Sequence, residues 1–161
     1  MMFDARTTEF IRTTAEEFLE FVLDVERYQQ IDEKIRPVLW VRREQGFTEF
    51  AFRPRIGPLR SPTWVSQERL VDGRRVDIQL APAPYNRFAR LIIRYEASFE
   101  CEPAPGGVLV SRSERFRMRG PLRWIVEPAV RRMMPRLVRE ELRLAKQLLE
   151  EAGFTASNPL K

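Results

Sequence analysis

The last third of the chain carries the pattern that most restricts its fold, an apolar stripe at helical spacing. Apolar residues recur there every three or four positions until Gly153, a residue typical of a helix end. They are Val130, Met134, Leu137, Val138, Leu142, Ala145, Leu149 and Ala152. A helix with one apolar face must bury it against a second surface. Because Pro128 and Pro135 fall inside the stripe, its first third is expected to be kinked or to form a separate helix.

The residues before this helix supply that surface, because they are typical of strands separated by turns. A strand over 5–12 precedes a capping box of Thr14 and Glu17, and a helix then runs to about Tyr28, with one or two further turns at 31–35. Turns at Gln45-Gly46, Asp72-Gly73 and 104–107 predict three hairpins. The strands cover 38–44, 47–53, 63–71, 75–80, 87–102 and 108–118. The order strand, two helices, six strands, helix indicates an α+β fold, with seven antiparallel strands against a long C-terminal helix.

The composition limits both the chemistry and the number of domains. A chain of 161 residues with 43% apolar residues is the size of one domain, which we place at 1–153, with a frayed tail at 154–161 and a surface loop at 54–62. It has no histidine, and Cys101 is its single cysteine. Catalytic triads that use histidine, histidine-ligated or zinc-cluster metal sites and structural disulfides are therefore excluded. We expect no cofactor and no bound metal.

The charge pattern bears on partners and location. The formal net charge is +5, but acids are interspersed with the arginines and no run of five or six like charges occurs, so we do not expect a nucleic-acid partner. The first residues lack the apolar core of a signal peptide, and no stretch of 18 apolar residues is present. The sequence thus predicts a soluble cytoplasmic protein with a reduced Cys101.

Two strands show which side chains share a face of the sheet. In the strand 87–102 the odd positions are apolar or aromatic and are expected to face inward, and they are Leu91, Ile93, Tyr95, Ala97, Phe99 and Cys101. In the strand 108–118 the apolar residues Val108, Val110, Phe116 and Met118 share their face with Arg112 and Glu114. The register that buries Val110 and Phe116 therefore also places two opposite charges inside. Burying each charge costs on the order of several kcal/mol unless the charge is paired or solvated.

Two segments carry a resemblance to a known family. Residues 18–35 read FLEFVLDVERYQQIDEKI, and residues 102–150 read EPAPGGVLVSRSERFRMRGPLRWIVEPAVRRMMPRLVREELRLAKQLLE. The first resembles the helix, acidic turn and second short helix of the START-related SRPBCC superfamily, in its polyketide cyclase/dehydrase and lipid-transport branch. The second is similar to the final hairpin and closing helix of that branch. The resemblance implies the helix-grip fold, in which a curved sheet wraps around the C-terminal helix, and a ligand cavity between the two.

The alternation of side chains along the strands and the family resemblance together indicate which residues would line this cavity. The set comprises Leu91, Ile93, Tyr95, Ala97, Phe99, Val110, Arg112, Glu114, Phe116, Met133 and Met134. The inward register of strands 38–44, 47–53 and 63–71 stays open, because Val65 and Val71 compete with Trp64 for the inner face. Arg112 and Glu114 have three interpretations. A bulge near Ser111 turns both outward, or they lie at an edge where the cavity is open, or they form the polar end of an apolar pocket and orient a carbonyl, phenol or carboxylate.

Two classes of function follow. The first is binding or transport of a hydrophobic small molecule, such as a lipid, a quinone or a polyketide-like compound. The second is a polyketide cyclase or aromatase acting on a poly-β-ketone, in which Arg112 would stabilise an enolate and Glu114 or Tyr95 would move protons. Arg123, Arg131 and Arg132 beside Trp124 predict transient contact with an anionic membrane or an acyl carrier.

Overall fold

One seven-stranded antiparallel sheet organises the molecule; the computed structural model describes residues 2–56 and 59–157. The strands of this sheet are β1 Phe3–Ile11, β2 Val38–Glu44, β3 Phe47–Phe52, β6 Trp64–Val71, β7 Arg75–Leu80, β8 Ile93–Ala104 and β9 Gly107–Met118. They lie in the order β1-β9-β8-β7-β6-β3-β2. A separate two-stranded piece, β4 Arg55–Ile56 and β5 Leu59–Arg60, lies in the segment predicted to be a loop.

The helices pack on one face of the sheet. They are α1 Ala15–Leu23, α2 Val25–Tyr28, a 3₁₀ turn Glu33–Ile35, α3 Arg87–Ile92 and α4 Arg123–Ser157. The predicted cap of α1 is confirmed, since the Thr14 hydroxyl accepts a hydrogen bond from the Glu17 amide at 3.1 Å. The Glu17 carboxylate accepts from the Thr13 hydroxyl at 2.7 Å. Asp24 divides the expected single helix in two, because its carboxylate accepts the Arg27 amide and starts α2.

The C-terminal helix confirms the main prediction and corrects two details. Helix α4 lies against β1 and β9, and the buried residues Val138, Leu142, Ala145 and Leu149 belong to its predicted stripe. Pro128 and Pro135 both lie inside one helix, so the separate first helix is wrong. Gly153 does not end the helix, which continues to Ser157. The predicted frayed tail is thus helical at 154–157, and its remainder, 158–161, lies outside the described residues.

The strand predicted over 87–102 is wrong at its beginning. Residues Arg87–Ile92 form helix α3, and only Ile93 and the residues after it pair in the sheet. Phe88 and Leu91 are three residues apart, which places them on one face of a helix but on opposite faces of a strand. The Asn86 side chain fixes the start of α3 on the sheet, because its amide bonds the backbone N–H and C=O of Val65 and the C=O of Ala81.

The strand register resolves which residues of β6 face the helices. Phe50 and Phe52 of β3 pack with Val25 of α2, so they lie on the helix-covered face. Trp64 and Ser66 pair directly with Phe52 and Phe50 and therefore share that face, together with Glu68 and Leu70. Val65 instead packs with Ala51 and Ala81 on the opposite face. The open choice between Trp64 and Val65 is thus settled in favour of Trp64.

Candidate ligand-binding site

The predicted pair on β9 faces the helices and is buried. Arg112 is 2% exposed and Glu114 is 0% exposed. Strand β9 pairs without interruption with both β1 and β8 from Val108 to Phe116, so no bulge turns these charges outward. The Arg112 Nη2 donates to Glu114 Oε1 at 2.6 Å. The guanidinium also stacks 4.2 Å from the ring centroid of Phe99, a cation–π contact inside the core.

Helix α4 adds a second carboxylate that the sequence analysis did not select. Glu141 is 3% exposed, and its Oε1 lies 3.5 Å from Arg112 Nε. The same carboxylate accepts a hydrogen bond from the Tyr28 hydroxyl. A signal for Glu141 exists in the sequence, because it lies three residues after Val138 and four before Ala145, inside the apolar stripe.

The 3₁₀ turn supplies the second cation of the cluster. Lys34 Nζ lies 3.0 Å from Glu114 Oε1 and 3.2 Å from Glu141 Oε2, so it bridges β9 and α4. Asp32 caps the turn by accepting the Lys34 amide at 3.0 Å. Ile31 and Ile35 pack against the core on either side and hold the turn on the sheet. We call Asp32, Lys34, Arg112, Glu114 and Glu141 the charged cluster.

Burial and neighbouring charges compete in this cluster. Burial alone would raise the Glu141 pKa, but Arg112 and Lys34 hold the pKa of this carboxyl below its ordinary value. Burial would lower the Arg112 pKa, and Glu141 and Glu114 together hold that pKa well above its ordinary value. For Asp32 burial prevails over Lys34 and raises the pKa to about 6. The cluster thus combines three carboxyl groups with two basic side chains.

Glu68 of β6 is a further buried carboxyl on the same face. It lies in one cross-strand row with Thr48, Ile78, Ala97 and Glu114. Glu68 is 3% exposed, and burial raises the pKa of its carboxyl to about 8, although Arg112 lowers it. Its side chain is therefore mostly a neutral acid at pH 7.

Several buried polar atoms of this face have no hydrogen-bond partner among the described residues. They are Arg112 Nε and Nη1, Glu114 Oε2, Glu68 Oε2 and Trp64 Nε1. A buried polar atom without a partner is costly, so these atoms identify a place where a bound molecule would be stabilised. Arg112 Nη1 is a donor and Glu114 Oε2 is an acceptor.

The residues predicted to line a cavity divide into three groups. Ile93, Ala97, Phe99 and Val110 are buried, and all but Ile93 belong to the main core cluster. Tyr95 and Phe116 are direct cross-strand partners, and both are half-buried, as is Met134 on α4. Burial raises the Tyr95 pKa, with Glu114 adding to the effect. Tyr95 and Phe116, two positions from Ala97 and Glu114, thus form an apolar wall that is only partly covered.

Two of the predicted lining residues lie outside any such wall. Leu91 is 70% exposed because it belongs to α3 rather than to β8, so its predicted inward orientation is wrong. Met133 faces solvent on α4 and is more than half exposed. Two clefts between described residues lie elsewhere, one of about 200 Å³ between β1 and α4 and an open one of about 490 Å³ beside the β8–β9 turn. No cluster residue lines either of them.

A curved antiparallel sheet that holds a long C-terminal helix against one face defines the helix-grip fold. The chain belongs to the family described as polyketide cyclase / dehydrase and lipid transport, whose model matches residues 2–150. Among curated proteins, none matches the sequence significantly.

Solved structures share this fold at low sequence identity. The Zhui aromatase/cyclase from Streptomyces sp. R1128 is 16% identical with a TM-score of 0.70, over 95% of this chain and 99% of that one. The di-domain ARO/CYC StfQ from the steffimycin biosynthetic pathway is 13% identical with a TM-score of 0.74, over 95% of this chain and 52% of that one. A START superfamily protein from Mycobacterium smegmatis is 13% identical with a TM-score of 0.62, over 92% and 98%. None of the helices in the described ranges has the length and apolarity that crossing a bilayer requires.

Proposed function

We propose that the protein binds a mostly apolar small molecule whose polar group is a hydroxyl, and that this hydroxyl meets the charged cluster. The observation that carries the proposal is the pair of buried unpartnered atoms, Arg112 Nη1 and Glu114 Oε2. A hydroxyl both accepts and donates, so it satisfies the two atoms together. The half-buried Tyr95 and Phe116 would contact the apolar body. Lipids with a hydroxyl, hydroquinones and polyketide phenols all have this chemistry.

The charge of the cluster argues against a carboxylate ligand. The cluster already has three carboxyl groups, on Asp32, Glu114 and Glu141, beside two basic side chains, on Lys34 and Arg112. A ligand carboxylate would add another negative charge at a site with little solvent to screen it. A neutral hydroxyl adds none. Ligand transport, contact with an anionic membrane or an acyl carrier, and a cytoplasmic location remain predictions that accompany this proposal.

Three naphthalene probes of one size test the preference. We expect 2-naphthol to bind at least about tenfold more tightly than naphthalene, which lacks the polar group, and than 2-naphthoate, which carries the charge. Titration calorimetry at pH 7 measures the three affinities. Equal affinities for all three, or a preference for naphthoate, would contradict the proposal. Native mass spectrometry of protein purified without denaturation gives the natural ligand, for which we expect a hydroxyl.

Asp32→Asn tests whether the carboxyl groups of the charged cluster disfavour a ligand carboxylate. Asparagine also caps helix starts, so the turn that carries Lys34 is retained while one negative charge is removed. We expect this variant to bind 2-naphthoate about tenfold more tightly than the parent and 2-naphthol with little change. If its affinity for 2-naphthoate is unchanged, the surplus of carboxyl groups in the charged cluster does not determine whether the protein prefers a neutral or an anionic ligand.

The runner-up function is a polyketide cyclase-type enzyme. Its support is that the pKa values of Asp32, about 6, and Glu68, about 8, lie on either side of neutrality, as acid and base catalysis requires. Arg112 would stabilise a developing enolate, while Glu114 or Tyr95 would move a proton. Turnover of a poly-β-ketone thioester by the purified protein, abolished by Glu68→Gln, would favour this function over simple binding.

A further inference from the structure

Large apolar side chains are concentrated at one end of the molecule without being buried. Phe88 and Leu91 of α3 are 68% and 70% exposed, and Trp124 and Ile125 of α4 are 73% and 75% exposed. Leu122, just before α4, is more than half exposed. The Arg119 amide donates to the Ile92 carbonyl at 2.7 Å, which joins the end of α3 to the segment leading into α4. We call these five apolar residues the end patch.

The end patch is surrounded by arginines. Arg87 and Arg90 lie on α3, and Arg119 and Arg123 flank the start of α4, all of them exposed. Among the described residues, none of these four forms an ion pair. The Arg123 guanidinium stacks 4.5 Å from the Trp124 ring centroid. Aromatic and aliphatic side chains interleaved with arginine are typical of surfaces that lie in the headgroup region of an anionic membrane.

We propose that the end patch docks the protein on a lipid bilayer that contains anionic headgroups. The five apolar side chains would enter the interface, and the four arginines would contact lipid phosphates and carboxylates. An acidic protein would complement the arginines but would leave the apolar side chains against a polar surface. A second copy of this chain would place arginines opposite arginines across a two-fold axis. An anionic bilayer therefore complements both the apolar side chains of the end patch and the arginines that surround it.

The place of the patch in the fold connects it with the charged cluster. Met118 of β9 pairs with Ile93, directly beside the Arg119 contact to α3. Six residues separate Met118 from Arg112 along β9, which is roughly 20 Å of strand. Tyr95 and Phe116 lie between the two ends. Docking deepens the membrane contact that accompanies the proposed function and rests on that function for its purpose: it would place the half-buried apolar wall next to the membrane from which an apolar ligand is taken.

Vesicle flotation with matched substitutions tests the proposal. We expect the protein to float with phosphatidylcholine vesicles that contain about one third phosphatidylglycerol, to float far less with pure phosphatidylcholine, and to dissociate as salt rises. The double variants Trp124→Ser/Ile125→Ser and Arg90→Gln/Arg123→Gln should each weaken binding by about tenfold or more. Trp124 fluorescence should be quenched by brominated lipid.

The controls lie at the opposite end of the sheet. Leu109→Ser beside the β8–β9 turn and Arg74→Gln in the β6–β7 turn remove one exposed apolar and one exposed basic side chain, and neither should change vesicle binding. Equal losses in these controls, equal binding to neutral vesicles, or binding of an acidic carrier protein without vesicle binding would each overturn the proposal. Affinity of the Trp124→Ser/Ile125→Ser variant for 2-naphthol should stay unchanged, so that failure of docking and failure of ligand binding are separate results.

Discussion

Arg112→Leu is expected to lower the free energy of unfolding by about 3–5 kcal/mol, because it leaves buried carboxylates with a single cation. Glu114 would keep only Lys34, and Glu141 would keep Lys34 and the Tyr28 hydroxyl. The lost cation–π contact with Phe99 adds to the cost. Urea denaturation monitored by circular dichroism measures the change.

A residue on the same strand provides the control for this substitution. Arg115 faces solvent and pairs with Asp4 in an exposed ion pair, so Arg115→Leu should change stability by less than about 1 kcal/mol. The double variant Arg112→Leu/Glu114→Leu should cost less than the sum of its two single changes, because the buried charges are then removed together. Additive losses would show that the two charges are independent, contrary to the geometry.

Glu68→Gln is expected to make the protein more stable at pH 8 and above, by up to about 4 kcal/mol, and to have little effect near pH 4. Burial raises the pKa of Glu68 from 4.5 to about 8, so between these values the folded state keeps a proton that the unfolded state has released. Ionisation of the unfolded chain therefore lowers stability progressively as pH rises through this window, and the loss is complete above the folded pKa. Glutamine has no such proton, so the variant escapes this loss.

The pH dependence can be separated from a simple packing change. Ile78 pairs directly with Glu68 on β7, and Ile78→Val should lower stability by about 1 kcal/mol at every pH. Unfolding free energies of the parent, Glu68→Gln and Ile78→Val are compared from pH 4 to pH 9. A constant difference between the parent and Glu68→Gln over this range would contradict a raised pKa for Glu68.

The fold could be predicted because its main signals are local. Alternation along β9 and the stripe on α4 each repeat within a few residues, and together they define the sheet and its helix. The inward placement of Arg112 and Glu114 follows from the same alternation once Val110 and Phe116 are buried. Helix α3 was missed because Leu91 has the same odd position as the apolar face of β8, so the alternation of that strand extends back into the helix.

The rest of the charged cluster depends on contacts that no local pattern contains. Lys34 reaches Glu114 across 80 positions of sequence and Glu141 across 107. Nothing in the residues around Lys34 distinguishes it from a solvated lysine until the packing of Ile31 and Ile35 is known. Glu68 was missed for another reason, because the register of its strand depended on the choice between Trp64 and Val65.

The two halves of α4 are attached to the sheet with unequal strength. Lys146 donates to the Phe10 carbonyl at 2.6 Å and lies beside Glu9, while Glu150 accepts the Arg12 amide. The first two turns, with Trp124 and Ile125 in solvent, have no hydrogen bond or ion pair to the sheet among the residues that the structure describes. Helix α4 is thus attached to the sheet mainly through its C-terminal half. An opening confined to the first two turns of α4 would therefore leave the ties of Lys146 and Glu150 in place and would not require unfolding of the domain.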